Sequence, residues 1–346
     1  MVESMVAFQL LTFVLGIVIL IVLHELGHFI AARSLNVEVE EFGLGFPPRV
    51  TRLFRAWGTD FTLNAIPLGG FVRPKGENDS TVAGGLAAAS PWVRLVVLVA
   101  GPLTNIMIGV LLGAILFYNL GKPVTNKVLI DQVADNSPAA QAGIRPGDLI
   151  VGVNGNTIDS QQKLQQIINQ NLETKIILIY QRGGQTYSTT LTPRANPPEG
   201  EGAMGIRMTN PRQPISLGEA FTAGISTTYD NIRGILTIPV RMAQGQASPE
   251  EGRLVGYRGM FEIYQQVFNP LWFFMAISIS LGVINLLPFP ALDGGRILMT
   301  LPEILFHRRI PQNYENAINL IGFAVLLILL IYINVQDFVN PIVLPK

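Results

Sequence analysis

Two of the chain's three histidines stand four residues apart with a glutamate between them, in the run His24-Glu25-Leu26-Gly27-His28. In a helix, side chains at i and i+4 lie one above the other, so both imidazoles can reach one metal ion. A glutamate directly after the first histidine is placed to take a proton from water activated at that metal. The chain has no cysteine, which excludes disulfides, thiolate chemistry and sulfur ligands together. A catalytic zinc takes three protein ligands and keeps a fourth position for water. His307 falls in a polar, arginine-rich stretch, which leaves a carboxylate as the expected third ligand. The strongest candidate is Asp293 in NLLPFPALDGGR. There Asn285 and Asp293 are set in apolar sequence, and Pro288 and Pro290 forbid a regular helix between them. Gly294 and Gly295 then permit a sharp turn and close approach.

The elements that must position these groups are those of a membrane protein. Of 346 residues, 49% are hydrophobic and 14% charged, against roughly 25% charged in soluble domains. The net charge is zero, so nothing points to nucleic acid. A spanning helix needs about 20 apolar residues, and four stretches qualify: 1–36 with HExxH, 92–118, 270–296 with NxxPxPxLDGG, and 317–335. Ionisable groups at membrane depth usually pair, face a cavity or do chemistry. Broken backbone there must be buried in protein or line a wet cavity. The chain opens MVESMV, without the basic region of a secretory signal peptide, so the first helix is expected to be kept. Segment 37–91 carries Arg49, Arg52, Arg55, Arg73 and Lys75, and the loop after the third span carries Arg296, His307, Arg308 and Arg309. The positive-inside rule makes both cytoplasmic and leaves 119–269 outside. With entry near Ala7, His24 lies about 25 Å along the first helix, toward the cytoplasmic side.

The outer segment begins with alternating strand patterns. KVLIDQV reads as a strand, SPAAQAGIRPGD as a short helix and turn, and LIVGVNGNTI as a strand with an Asn-Gly turn. QQKLQQIINQ reads as an amphipathic helix and KIILIYQRGGQTYSTTLTP as a hairpin. This module resembles a PDZ domain over 124–195. PDZ domains bind peptides by adding a strand to a sheet edge, and here the groove either takes a peptide C-terminus or excludes bulky ectodomains. Beyond it, 196–269 is too polar to span and is expected to form an amphipathic helix on the outer surface, or a clamp.

HELGH, FGLGFPP, IPLGGFV, the PDZ-like insert and NLLPFPALDGGR occur in an order that resembles the site-2 protease family, most closely its RseP-type bacterial regulated intramembrane proteases. The resemblance implies a membrane α-helical fold with four transmembrane helices, an inserted α+β PDZ domain and a membrane-associated β-hairpin. It implies Zn2+ on His24, His28 and Asp293, Glu25 as catalytic base, and Asn285 touching substrate or the reacting centre. A membrane-dipping hairpin at about 60–74 would pair with unwound substrate through Asn64, Ile66, Leu68, Gly69, Gly70 and Phe71, with Leu68, Gly69 and Gly70 as its turn. Physics favours such a device, because a substrate helix must unwind before cleavage and its freed amides need partners in a dry place. The expected enzyme is a zinc endopeptidase of the bacterial inner membrane, acting within the lipid bilayer on single-span proteins already trimmed by a site-1 type protease. Anti-sigma factors and remnant signal peptides are substrates of this type. Two features depart from the pattern: there is room for one PDZ domain rather than a tandem pair, and RLVGYRGM stands where relatives read a Gly-Pro-Val-Gly run. The competing readings are a catalytically silent PDZ scaffold, which the full set of catalytic residues opposes, and a zinc transporter, which would carry a path of polar groups rather than one compact set.

Overall fold

The computed structural model describes residues 2–77, 79–248, 251–267 and 269–341, and the side chains of residues 2, 3, 67 and 68 lie outside the described ones. The chain forms two compact units, one of Met1–Leu116 with Phe221–Pro345 and one of Phe117–Ala220.

The first unit opens with α1 (Val2–Ser34), apolar on all faces as suits a helix surrounded by lipid. A ribbon of β1 (Val39–Ala56) and β2 (Thr59–Pro74) follows. Its turn is Trp57-Gly58, with φ of 51° and 80°, the two positive values that a two-residue hairpin loop requires. The expected turn at Leu68, Gly69 and Gly70 is therefore corrected: that backbone continues as strand within β2. Glu41–Leu44 have partners in both halves of β2, at Asp60–Leu63 and at Gly70–Arg73, so the ribbon folds back upon itself. Glu41 locks this arrangement. It is 3% exposed and takes hydrogen bonds from Arg49 Nε (3.1 Å), Thr62 Oγ1 (2.7 Å) and Arg73. Burial works against its charge, but the Arg49 and Thr62 hydrogen bonds and the Arg73 charge hold the carboxyl below its usual range. Phe29 of α1 meets Phe42 and Phe61 at 5.8 and 5.7 Å and so seats the ribbon on the helix. Next comes α2 (Pro91–Leu120).

The second unit is built on a sheet. A short pair, β3 (Lys122–Pro123) with β10 (Arg212–Gln213), closes its base. Between them come β4 (Val128–Val133), α3 (Pro138–Gln141), β5 (Leu149–Val153), β6 (Asn156–Thr157), α4 (Gln161–Gln170), β7 (Ile176–Arg182), β8 (Gln185–Leu191) and β9 (Ile206–Thr209). The sheet order is β8-β7-β5-β4-β9, with β6 on β5. Val128, Ile130, Ile150, Leu164, Ile176 and Leu178 fill the core. Ser137 and Ser160 cap α3 and α4, their side chains accepting the N–H groups of Ala140 and Lys163. The sheet extends past residue 195: β9 adds its far edge, and Met204 joins the core.

The chain then returns to the first unit through α5 (Leu217–Ala243), α6 (Tyr257–Gln266), α7 (Pro270–Asn285), α8 (Asp293–Phe306) and α9 (Gln312–Val339). Among the described residues, helices 4–34, 91–120 and 312–339 are long and apolar enough to cross a membrane. With 16 residues α7 is shorter, because Pro288 and Pro290 follow directly. At the start of α6, Gly256 offers no capping side chain. Asp337 of α9, fully buried, supplies the cap from 81 residues away, accepting the Gly256 and Gly259 N–H groups at 2.8 and 3.0 Å and pairing with Arg253 at 3.0 Å. α6 in turn packs Tyr264 and Phe261 on Phe13 of α1.

Replacing Asp337 by Ala leaves two amides and Arg253 without their acceptor, a loss of about 3–5 kcal/mol for a buried pair. Asp337→Ala is expected to lower the unfolding temperature and to open 251–266 to protease. Unchanged proteolysis there would show that α6 is held by its apolar face alone.

Candidate metal centre

α1 carries His24 and His28 on one face, with ring centroids 4.8 Å apart. Asp293 comes from near the other end of the sequence. The proline-interrupted stretch after α7 ends at Leu292, which has no capping side chain, and Asp293 opens α8, where the helix dipole favours a carboxylate. Close packing fixes that turn: a Cβ on Gly294 would come 2.2 Å from the Leu287 carbonyl oxygen, and one on Gly295 2.2 Å from that of Phe289.

The three groups meet as a triangle. His24 Nε2 lies 3.2 Å from His28 Nε2 and 3.2 Å from Asp293 Oδ2, and His28 Nε2 lies 3.3 Å from the same oxygen. Tetrahedral zinc bonds nitrogen and oxygen at about 2.0–2.1 Å, and three of its vertices are then about 3.3–3.4 Å apart. The triangle fits. The outer nitrogens agree with it. His28 Nδ1 lies 2.7 Å from the Val97 carbonyl oxygen and must donate to it, which turns the Nε2 lone pair toward the centre. His24 Nδ1 lies 3.3 Å from Asn105 Nδ2, while Asn105 Oδ1 is buried without a partner. Turning the amide over gives His24 Nδ1–H an acceptor and satisfies that oxygen.

Val97, Gly101 and Asn105 form an i, i+4, i+8 stripe on α2. A Cβ on Gly101 would sit 2.2 Å from His28 Nε2, so this glycine makes room for the ring. Gly101 and Asn105 were not singled out from sequence. The available signal was Asn105, an uncharged polar residue inside an apolar span and fully buried in the fold.

Glu25 flanks the triangle, and its Oε2 accepts the Val72 N–H of β2 at 2.9 Å. One cavity of about 470 Å³ is lined by His24, Glu25, His28, Asn285 and Asp293, together with Gly69, Gly70 and Phe71 of β2. Arg296 of α8 and Glu77, beyond β2, pair at its border. Two expected contact residues lie elsewhere. Asn64 is buried within the ribbon, donating to the Gly45 carbonyl at 3.1 Å; Ile66 is 44% exposed and does not line the cavity. The side chain of Leu68 lies outside the described ones. His307 stands at the C-cap of α8, its backbone N–H donating to the Glu303 carbonyl, and is not one of the three convergent groups.

The family model described as Peptidase family M50 matches residues 12–329. The chain belongs to family M50, the site-2 proteases. A Campylobacter jejuni protein that carries the provisional name zinc metalloprotease Cj1068 is 33% identical to this M50 chain, covering 95% of it and 93% of the relative. Metalloprotease MmpA of Caulobacter vibrioides is 27% identical, covering 92% and 91%. The PDZ domain of the SdrC-like protein of Listeria monocytogenes matches with 25% identity and a TM-score of 0.22, over 25% of this chain and 92% of that one. The M50 assignment, the apolar helices and the His-His-Asp group together make the chain a membrane metalloprotease.

Asn105→Leu keeps the volume and removes the amide. It is expected to weaken zinc retention by about 10–100-fold, the usual cost of losing a ligand's outer partner. Chelator competition on the purified chain measures this. Unaltered affinity would mean that His24 needs no partner on α2.

Proposed function

We propose that this chain is an intramembrane zinc endopeptidase, cutting single-span membrane proteins within or beside their spans. The observation that carries the reading is the triangle of His24, His28 and Asp293 beside Glu25, borne on a helix long enough to cross a bilayer. His24, His28 and Asp293 hold the ion, which when bound supplies Lewis-acid activation of the scissile carbonyl and of a water molecule. Glu25 accepts a proton from the attacking water and returns it to the leaving nitrogen as the C–N bond breaks. The Val72 N–H holds one oxygen of Glu25, so that the other faces the reaction. Asn285, on the cavity wall, donates a hydrogen bond to the developing oxyanion.

The outer edge of β2 receives the substrate. Val72 directs its N–H away from β1 toward Glu25, and by strand alternation Gly70 and Leu68 direct theirs to the same side. A substrate segment unwound in the cavity adds there as a further strand, which satisfies its backbone away from water. α7, with its broken continuation to Asp293, acts as the third of four spans in spite of its 16 residues. The second unit is a PDZ module on the extracytoplasmic side of a bacterial inner membrane. Its edge strand β9, paired only to β4 among the described strands, takes a peptide C-terminus or screens out uncut ectodomains. The substrates are proteins already trimmed by another protease, of the anti-sigma factor or remnant signal peptide type.

In proteoliposomes with a single-span reporter, the wild-type chain is expected to cut inside the span. Glu25→Gln should slow this by about 10²–10⁴-fold while zinc content stays at one per chain. Cleavage that survives the substitution, or that falls only in soluble flanks, would overturn the assignment.

A further inference from the structure

A second concave site lies away from the metal centre, where α1 ends. A groove of about 380 Å³ runs between the last turns of α1, at Phe29, Ile30, Arg33 and Ser34, and Trp57 at the tip of the ribbon. Its chemistry is mixed. Ile30 is 55% exposed, on the final apolar turn of a helix long and apolar enough to cross a membrane. Arg33 is exposed in the last turn of α1 and pairs with no acid among the described residues. Trp57 is 71% exposed, yet it is held in place, with its ring 6.4 Å from that of Phe29. The strand that leads to Trp57 carries Arg49, Arg52 and Arg55, interleaved with exposed Val50, Leu53 and Phe54. Arg49, Arg52 and Arg55 all approach Asp60, at 4.0, 3.5 and 3.7 Å, so three cations share one acid at long range.

Tryptophan beside arginine at the end of an apolar helix is the composition of a membrane–water boundary. A protein partner would not account for Ile30 continuing the groove onto the lipid-facing flank. A soluble anion would leave both Ile30 and Trp57 without a role. We propose that this groove binds an anionic phospholipid, with its phosphate on Arg33, its glycerol region under Trp57 and an acyl chain along Ile30. The excess of arginine on β1 raises the local concentration of such lipids, and an occupied groove fixes the ribbon tip against α1. The inference rests on membrane insertion of α1 and not on the protease reading.

The test uses the full chain in neutral detergent, mixed with phosphatidylglycerol or phosphatidylcholine and read by native mass spectrometry. The wild type is expected to retain one phosphatidylglycerol selectively. Arg33→Gln should weaken retention by about fivefold, and Arg33→Gln with Arg55→Gln by about 25-fold, whereas Arg33→Lys keeps it, which separates lost charge from lost fold. Equal retention of phosphatidylcholine, or retention unchanged in the double variant, would overturn the proposal. So would displacement of the lipid by inorganic phosphate alone, since that marks a plain anion site.

Discussion

Three ligand atoms, two nitrogens and one carboxylate oxygen, converge to within 3.2–3.3 Å of one another inside an apolar helical protein. Donor atoms with lone pairs directed at one point repel one another, and the low dielectric around them leaves that repulsion poorly screened. A cation at the centre removes the conflict, and much of the first unit can be read as the means of bringing the three atoms there. α1 supplies two of them by helical periodicity alone. The third must come from more than 260 residues further on, so the centre exists only if α8 starts beside α1.

Packing meets that requirement through small residues and unusual backbone. Gly101 lets α2 approach until its Val97 carbonyl and Asn105 amide orient both imidazoles. Gly294 and Gly295 let the segment after α7 fold against the start of α8, and the broken backbone turns Asp293 toward the histidines. β2 is joined to the same site by the hydrogen bond from Val72 N–H to Glu25. The ribbon that holds β2 is pinned in turn by the buried Glu41 and its arginines. Chemistry and strand edge are thus one mechanical unit, and a shift of the ribbon is felt at Glu25.

The parts legible in the sequence are those that depend on short-range periodicity. HELGH declares its geometry because i and i+4 share a helix face whatever surrounds them. Pro288, Pro290 and the two glycines declare a break because their backbone limits are intrinsic. The turn at Trp57-Gly58 was not legible: Trp is a poor marker for positive φ, and Leu68-Gly69-Gly70 offered a more conventional signal that the fold uses as strand. β9 was hidden between a proline- and glycine-rich run ending at Gly205 and the prolines Pro211 and Pro214, being four residues long and stabilised by its pairing with β4 rather than by propensity. Gly101 and Asn105 lay in plain view, but their role depends on which helix packs behind α1, and tertiary contact of that kind leaves no local pattern. Asp337 is similar, a cap for a helix 80 residues earlier.

On the proposed reading, two imidazoles and one carboxylate, from α1 and the start of α8, hold a single zinc. X-ray absorption at the zinc edge of the purified full chain tests it most directly. The expected result is one zinc per chain with two imidazole nitrogens and oxygen ligands at about 2.0–2.1 Å, and a spectrum reduced to one imidazole in His28→Ala. A spectrum with no imidazole scattering, or one that His28→Ala leaves unchanged, would contradict it.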